Sequence, residues 1–299
     1  LNCVANGKIL RDKAFKDIWI QPASGDAGGA IGCALAVWHK ELNKPRVVNP
    51  NDAMQGSYLG PSYEQDVIKN KLLECGAIFD SLSEDKMIEQ TAQALADGMA
   101  VGWFQGRMEF GPRSLGGRSI LGDPRSEDMQ KTLNLKVKYR ESFRPFAPSV
   151  LSEDVSEWFE ADYDSPYMLL VDDVKKDKRI KMTREEGFLF GIDKLKIKRS
   201  SIPAVTHVDY SARIQTVHKE TNPKYHALIT KFKENTDCSV LVNTSFNVRG
   251  EPIVCTPEDA FKCFMGTDLD MLVVDNCIIR KDQQDELLTE DYKDKYKLD

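Results

Sequence analysis

Residues 106–125 read GRMEFGPRSLGGRSILGDPR. Four arginines, Arg107, Arg113, Arg118 and Arg125, alternate here with glycines and prolines, which interrupt helices and form turns. Such a stretch is not one face of a helix, so we expect loops at the ends of strands. Because guanidinium groups bind phosphate and carboxylate through paired hydrogen bonds, the stretch predicts a site for an anion.

The charge of the whole chain limits what that anion is. The 299 residues carry a formal charge of −6, whereas residues 101–150 contain nine Lys or Arg and five Asp or Glu. A protein dedicated to long nucleic acids usually has a basic face or a high isoelectric point. A local positive cluster in an acidic chain therefore favours a small anionic ligand, and binding to nucleic acid is not expected.

Composition indicates a globular protein without a membrane partner. Hydrophobic residues make up 41% and charged residues 29% of the chain, and no apolar run is long enough to cross a bilayer. Seven cysteines without a CxxC motif are expected to be reduced, which favours a cytoplasmic protein. Since the chain begins with Leu1 and lacks a signal peptide, we expect a fragment of a longer protein.

Strand and helix patterns alternate on both sides of the opening stretch. Residues 84–98 have the spacing of an amphipathic helix, and MAVGWF (99–104) is a short apolar strand. CSVLVNTSFN (238–247) predicts a buried strand, and TPEDAFKCFMGT (256–267) predicts a helix capped by Thr256. This alternation is typical of an α/β protein.

A glycine-rich segment near the N-terminus has two interpretations. In QPASGDAGGAIG (21–32), residues 25–29 predict a tight turn that leads into a helix from Ala30. The backbone N–H groups of such a turn can bind an anion at the helix N-terminus. Alternatively, the glycines only allow close packing of the helix, and the spacing does not decide between the two.

Three further segments combine basic and polar residues next to strands. They are KVKYRESFRPFAP (136–148), the strand that holds Arg213, and NTSFNVRGEPI (243–253). Arginines, hydroxyls and turn N–H groups together form cradles for phosphate. The four histidines have no HxxxH spacing, and no GxSxG or Walker A motif occurs in a suitable context. The residues alone therefore predict a site for phosphate, nucleotide or a similar anion, without naming a reaction.

Three motifs in order, GRMEFGPRSLGGRSILGDPR, KYRESFRPFAPSVL and NTSFNVRGEPIV, resemble the C-terminal half of the NodU/tobramycin-type O-carbamoyltransferases. The resemblance implies an α/β fold in two parts. Residues 1–55 would be the remnant of an actin-type ATPase (TsaD-like) domain, and 56–84 a linker. Residues 85–281 would form a YrdC-like domain with a twisted mixed sheet and helices, and 282–299 a charged tail that frays or forms a solvated helix.

The resemblance also implies a reaction. The YrdC-like domain would form carbamoyl-adenylate from carbamoyl phosphate and ATP, and the TsaD-like domain would pass the carbamoyl group to a hydroxyl of a small-molecule acceptor. The basic residues implied for this pocket are Arg113, Lys138, Arg144, Arg213 and Arg249. Ser245 and Asn247 would hold nucleotide or phosphate oxygens, as would Asn6, Gly28 and Gly29 on the TsaD-like side.

Asp26 matches an iron ligand of the family, but the partner histidines of that site are absent from this chain. Iron is therefore expected only in a full-length protein. Two alternatives remain: an enzyme like the threonylcarbamoyl-adenylate synthases, which would start from threonine and bicarbonate, and a non-catalytic RNA-binding module with a YrdC-like fold. The oligomeric state also stays open, a homodimer included.

Overall fold

The strands form one nine-stranded mixed sheet in a computed structural model that describes residues 1–48, 52–195, 197–289, 292 and 296. In chain order the strands are β1 (Asp80–Ser81), β2 (Val101–Phe104), β3 (Arg118–Gly122), β4 (Ala147–Leu151), β5 (Leu170–Asp173), β6 (Ser211–Val217), β7 (Val240–Ser245), β8 (Met271–Val274) and β9 (Cys277–Arg280). Their order across the sheet is β1-β9-β8-β2-β3-β7-β4-β6-β5. The pairs β2/β8 and β4/β6 are parallel, and the other pairs are antiparallel.

Helices occupy most of the connections between the strands. They are α1 (Cys3–Asp12), α2 (Asp26–Ala36), α3 (Gln65–Glu74), α4 (Glu84–Ala96), α5 (Met129–Thr132), α6 (Val155–Trp158), α7 (Arg184–Gly187), α8 (Ile192–Leu195), α9 (Pro223–Thr236) and α10 (Pro257–Met265). Short π-helical turns continue α2 through Val37–Glu41 and α5 through Leu133–Val137. The α/β class that the alternating patterns predict is thus confirmed.

The core lies where the long helices cover the central strands. Every residue of β2, β3 and β4 is buried, and helices α4 and α9 pack against each other. The apolar face of α4 includes Met87 and Leu95, and that of α9 includes Leu228 and Phe232. Burying such side chains contributes about 1.5–3 kcal/mol each.

Local sequence signals predict the positions of several elements correctly. Helix α4 and strands β2 and β7 fall within the predicted segments. Thr256 caps α10, because its hydroxyl accepts the N–H of Asp259 at 3.1 Å while the Asp259 carboxylate accepts the N–H of Thr256 at 2.9 Å. This reciprocal pair satisfies two backbone N–H groups that the first helical turn leaves free.

The predicted turn at residues 25–29 is wrong in its extent. Helix α2 begins at Asp26, four residues before the predicted start at Ala30. The N–H of Gly28 donates to the carbonyl of Ala23 at 2.8 Å, and that of Gly29 donates to Gly25 at 3.0 Å. A carboxylate in the first turn favours a helix start at Asp26, and it offsets the low helix propensity of the glycines.

Helix α1 packs directly against the edge strand β5. A Cβ placed on Gly7 would lie 2.3 Å from the carbonyl oxygen of Val171, so only glycine allows this approach. Asn6 Nδ2 donates to the carbonyl of Leu169 at 3.0 Å. The N-terminal segment therefore lies against the β5 edge of the sheet.

The charged C-terminal segment is more ordered than its composition predicts. Gln284 is buried and exchanges hydrogen bonds of 2.9 Å with both backbone groups of Ile78. Tyr292 is also buried, and its hydroxyl donates to Glu251 at 3.0 Å. The expectation of a frayed or solvated tail is wrong for these two residues, whereas 290–291, 293–295 and 297–299 lie outside the described residues. Among the described helices, none is both long and apolar enough to cross a membrane.

Candidate functional site

Three of the four arginines of the opening stretch have structural partners. Arg118 is fully buried and donates to the carbonyls of Gln105 at 3.0 Å and Gly117 at 2.9 Å. Arg125 pairs with Asp123 at 2.7 Å, and Arg107 donates to the carbonyl of Gly60 at 2.9 Å. Composition and spacing do not separate these arginines from Arg113, whereas the family resemblance implies only Arg113 of the four for the pocket.

Arg113 instead lies beside a second arginine, Arg213 on β6. Burial, and after it the positive charge of Arg113, lowers the pKa of Arg213 to about 10. Cys3 on α1 lies beside Arg213 and acts in the opposite direction, raising the pKa of Arg213. Two like charges held together in a partly buried place are unfavourable unless an anion compensates them.

Three more arginines extend this positive region. Burial lowers the pKa of Arg140 to about 10, and the charges of Arg144, Arg213 and Arg249 act in the same direction. Glu141 forms long ion pairs with Arg144 at 3.9 Å and with Arg249 at 3.6 Å. Both pairs are partly exposed, and such pairs contribute about 1 kcal/mol or less.

Lys138 ties this region to the end of strand β7. It is 3% exposed, and its Nζ donates to both oxygens of Asn247 at 2.8 Å, to the hydroxyl of Ser245 at 3.2 Å, and to the Ser245 carbonyl. Burial, and after it the charge of Arg140, lowers the pKa of Lys138 to about 7. Ser245 and Asn247 therefore hold the Lys138 side chain in place through hydrogen bonds. That they contact a ligand stays a prediction.

We call the six side chains Arg113, Lys138, Arg140, Arg144, Arg213 and Arg249 the basic cluster. The structure brings five predicted residues into it and places Ser245 and Asn247 beside it. The sequence prediction omits Arg140, although its position two residues after Lys138 in the same basic run is a usable signal. The cluster draws its members from the loop after β2, from the segments before β4 and after β7, and from β6 itself.

Several buried polar atoms in and next to the basic cluster have no hydrogen-bond partner. Within the described part of the chain these are Nε of Arg113, Oγ of Ser114, Nε of Arg213 and Oδ1 of Asn243. They lie on linked residues, because Asn243 Nδ2 donates to the carbonyl of Ser114 at 3.2 Å. Buried polar groups are nearly always paired in folded proteins, so this concentration indicates a place where a ligand or ordered water completes the hydrogen bonding.

Two cavities in the described structure are lined by residues outside the basic cluster. One of about 960 Å³ is lined by Tyr58, Gln105 and Arg107, among others. Another of about 360 Å³ is lined by Ser142 and Phe143, which belong to the loop between Arg140 and Arg144. The basic cluster thus borders the smaller cavity through this loop.

The N-terminal candidates lie apart from the cluster or at its margin. Asn6 is one helical turn after Cys3, the residue that contacts Arg213, and its amide bonds to Leu169. The turn before α2 contacts the opening stretch, since a Cβ on Gly111 would lie 3.1 Å from the carbonyl of Pro22. Over the described residues, no hydrogen bond or ion pair joins Asp26, Gly28 or Gly29 to the cluster.

The structure thus shows a mixed α/β protein in which basic side chains from several segments come together. Models of two protein families match the chain: "Carbamoyltransferase C-terminus" over residues 92–281 and "Carbamoyltransferase N-terminus" over residues 1–35. The first match spans more than half of the chain. The protein therefore belongs to the carbamoyltransferase family, which confirms the resemblance read from the three motifs.

Relatives in several bacteria agree with this assignment. An uncharacterized protein of Synechocystis is 60% identical over 286 residues, which cover 95% of this chain and 46% of the relative. Nodulation protein NolNO of Sinorhizobium fredii is 41% identical, with coverage of 94% and 38%. The 3'-hydroxymethylcephem-O-carbamoyltransferase of Streptomyces clavuligerus is 32% identical, with coverage of 92% and 46%. The chain thus spans about half or less of the length of these relatives.

A solved structure gives a weaker match. The crystal structure of full-length HypF in its phosphate- and nucleotide-bound form overlaps 68% of this chain and 23% of HypF, with a TM-score of 0.41 and 17% identity. A TM-score of this size does not establish a shared fold or a shared ligand.

Proposed function

We propose that this chain carries the carbamoyl-activating part of an O-carbamoyltransferase. Residues 85–281, as a YrdC-like domain, bind carbamoyl phosphate and ATP and produce carbamoyl-adenylate and pyrophosphate. The observation that carries the proposal is the basic cluster, in which five arginines and a lysine converge around buried guanidinium nitrogens that have no partner among the described residues.

The charges of the reactants account for such a site. Carbamoyl phosphate and ATP are both anions, so bringing them together without concentrated positive charge is unfavourable. The same charges stabilise the transition state at the α-phosphorus and the departing pyrophosphate. Because carbamoyl phosphate must lose its phosphate before the carbamoyl group joins AMP, the balanced reaction consumes one water and also releases phosphate.

Each side chain has a role that follows from its surroundings. Arg113 and Arg213 are the partly buried pair whose Nε atoms lack partners among the described residues, and they bind the reacting anion most tightly. Arg144 and Arg249 are more exposed and share Glu141, so they can turn toward the polyphosphate when it arrives. Lys138 supplies a proton-dependent charge beside Ser245 and Asn247.

Transfer of the carbamoyl group to an acceptor hydroxyl belongs to the TsaD-like part, of which residues 1–55 are the end. Asn6, Gly28 and Gly29 would contact nucleotide there. Iron does not fit the residues present: Asp26 is exposed, and in the described ranges no three His, Cys, Asp or Glu side chains cluster as metal ligands. One carboxylate is a poor iron site, so no step is derived through iron.

The test is pyrophosphate release from ATP, with and without carbamoyl phosphate, in the wild type and in Arg144→Ala. Release that requires carbamoyl phosphate and is lost in the variant supports the proposal. Arg107→Ala is the matched control, because this arginine comes from the same basic stretch and donates to the carbonyl of Gly60. It should release pyrophosphate at the wild-type rate.

Other results point to the alternatives. Release that depends on threonine and bicarbonate instead of carbamoyl phosphate would identify a threonylcarbamoyl-adenylate synthase. Absence of release, together with RNA binding that weakens steeply with salt, would identify an RNA-binding module. The acidic net charge of −6 favours small anions over a polymer.

A further inference from the structure

A buried carboxylate closes the loop that presents Arg113. Glu109 is 6% exposed, and its Oε1 accepts the backbone N–H groups of Leu115 at 2.6 Å, Gly117 at 2.7 Å and Arg118 at 3.3 Å. Converging N–H groups of this kind form a concave site for an anion, and here the anion is a side chain of the loop itself. Glu109 thereby joins the start of the loop to its end, and residues 110–114, Arg113 among them, form the segment in between.

The carbonyl groups of the same loop accept hydrogen bonds from three side chains, two of which lie on strands β6 and β7. Asn243 Nδ2 donates to the carbonyl of Ser114 at 3.2 Å, and Gln215 Nε2 donates to that of Leu115 at 2.8 Å. The hydroxyl of Tyr58 also donates to Leu115, at 2.6 Å. The backbone that follows Arg113 is thus fixed both by its N–H groups and by its carbonyls.

The hydrogen bonds that fix the backbone after Arg113 counteract the electrostatic repulsion between Arg113 and Arg213. The positive charge of Arg113 lowers the pKa of the neighbouring Arg213, so the two guanidinium groups disfavour each other in the absence of an anion. The buried Nε of Arg113 has no partner in the described part of the chain that would hold it in place. The position of Arg113 therefore depends on its backbone, and the Glu109 carboxylate is the acceptor that closes that backbone.

We propose that Glu109 is a positioning residue for Arg113, acting through the backbone of residues 115–118. The inference rests on the proposed function, because the ligand that Arg113 meets is the phosphate or polyphosphate of that site. Small displacements of a positioned charge can reduce binding or rate about a hundredfold.

The test measures the affinity for inorganic pyrophosphate by calorimetry in the wild type, Glu109→Ala, Arg113→Ala and the double variant. Both single variants should lose about tenfold to a hundredfold in affinity. The double variant should bind no more weakly than Arg113→Ala, because Glu109 acts only through that arginine. Glu109→Gln, whose amide oxygen still accepts hydrogen bonds, should recover most of the loss and keeps the test valid if Glu109→Ala fails to fold.

Three other results would contradict the positioning role, and each has a different meaning. Equal losses from Glu109→Ala with Arg113 present and absent would mean a general structural role and would overturn the inference. Wild-type affinity in Glu109→Ala would overturn it as well. If the wild type does not bind pyrophosphate, the proposed function fails and the positioning role fails with it.

Discussion

Replacing Arg213 by methionine should stabilise the ligand-free protein while abolishing its response to pyrophosphate. Arg213 is kept charged close to Arg113, and its Nε has no partner among the described residues. Methionine retains the apolar stem and removes the charge. Ordinarily the loss of a buried polar side chain destabilises a protein, whereas here the burial of the charge and its repulsion by Arg113 together predict a gain in stability.

The size of the gain follows from the lowered pKa. A shift from 12.5 to about 10 corresponds to about 3 kcal/mol at 1.36 kcal/mol per unit. Because the Arg213 side chain keeps some exposure to solvent, this figure is an upper limit. It corresponds to a rise in melting temperature of about 5 °C for a chain of this size.

Arg118→Met is the matched control with the opposite expected sign. Burial lowers the pKa of Arg118 to about 10 as well, but its N–H groups donate to the carbonyls of Gln105, Gly106 and Gly117. Removing them leaves buried carbonyls unpaired at a cost of about 1–3 kcal/mol each. This variant should therefore unfold at a lower temperature than the wild type.

The assay is thermal unfolding with and without pyrophosphate. A ligand at a hundred times its Kd adds about 2.7 kcal/mol to the wild type, and it should add nothing to Arg213→Met. A melting temperature that falls in Arg213→Met as it does in Arg118→Met would refute the reasoning. It would mean that Arg213 is a structural arginine whose charge is already compensated.

Three further expectations concern other residues of the same region. In the free protein Lys138 loses its proton as pH rises through about 7, and a bound anion restores it. Pyrophosphate binding at pH 8 should therefore be accompanied by proton uptake at Lys138 in the wild type, and this uptake should be absent in Lys138→Met. The affinity of the wild type for pyrophosphate should also fall as pH rises above 7. Calorimetry in buffers of different ionisation heat measures both the proton uptake and the affinity. Glu141→Gln removes the carboxylate that pairs with Arg144 and Arg249, so pyrophosphate should bind slightly more tightly at low salt, by a few-fold at most. Gly116 has φ +102° and lies against Tyr225, where an added Cβ would come within 2.2 Å of the ring. Gly116→Ala should therefore lower the free energy of unfolding, measured by urea titration, by at least about 1 kcal/mol. An unchanged free energy of unfolding would contradict the close approach.

The parts of the fold that follow from the sequence are those set by local patterns. Helix α4 follows from its apolar period, α10 from its cap, and β7 from its apolar run, because each signal lies within the segment itself. The start of α2 is predicted less well, since glycines lower helix propensity and the Asp26 carboxylate in the first turn offsets this. The burial of Tyr292 depends on Glu251, which lies 41 residues earlier and carries no local signal.

The same distinction applies to the candidate site. That the opening stretch carries arginines for an anion can be proposed from its composition, but which arginine is available depends on distant carbonyls and carboxylates. Arg118 donates a hydrogen bond to the carbonyl of Pro61 as well as to its near neighbours, and Arg107 donates to the carbonyl of Gly60. No sequence motif records contacts at these sequence separations. Glu109 escapes sequence reasoning for the same reason, because a single acidic residue in a basic stretch looks like solvated charge.

The chemistry of the cluster and the burial of the sheet depend on each other. A set of like charges on a flexible surface would move apart, and its positive potential would be screened within about 8–10 Å by salt. Here the residues come from segments joined to β3, β4, β6 and β7, and buried amides of Asn243 and Gln215 connect those strands to the loop of Arg113. The free energy that holds the arginines together thus comes from the core, and a bound polyphosphate would compensate their charges. A cluster built in this way should bind compact anions with several charges better than single charges spread along a polymer, which is the property that joining two phosphate-bearing substrates requires.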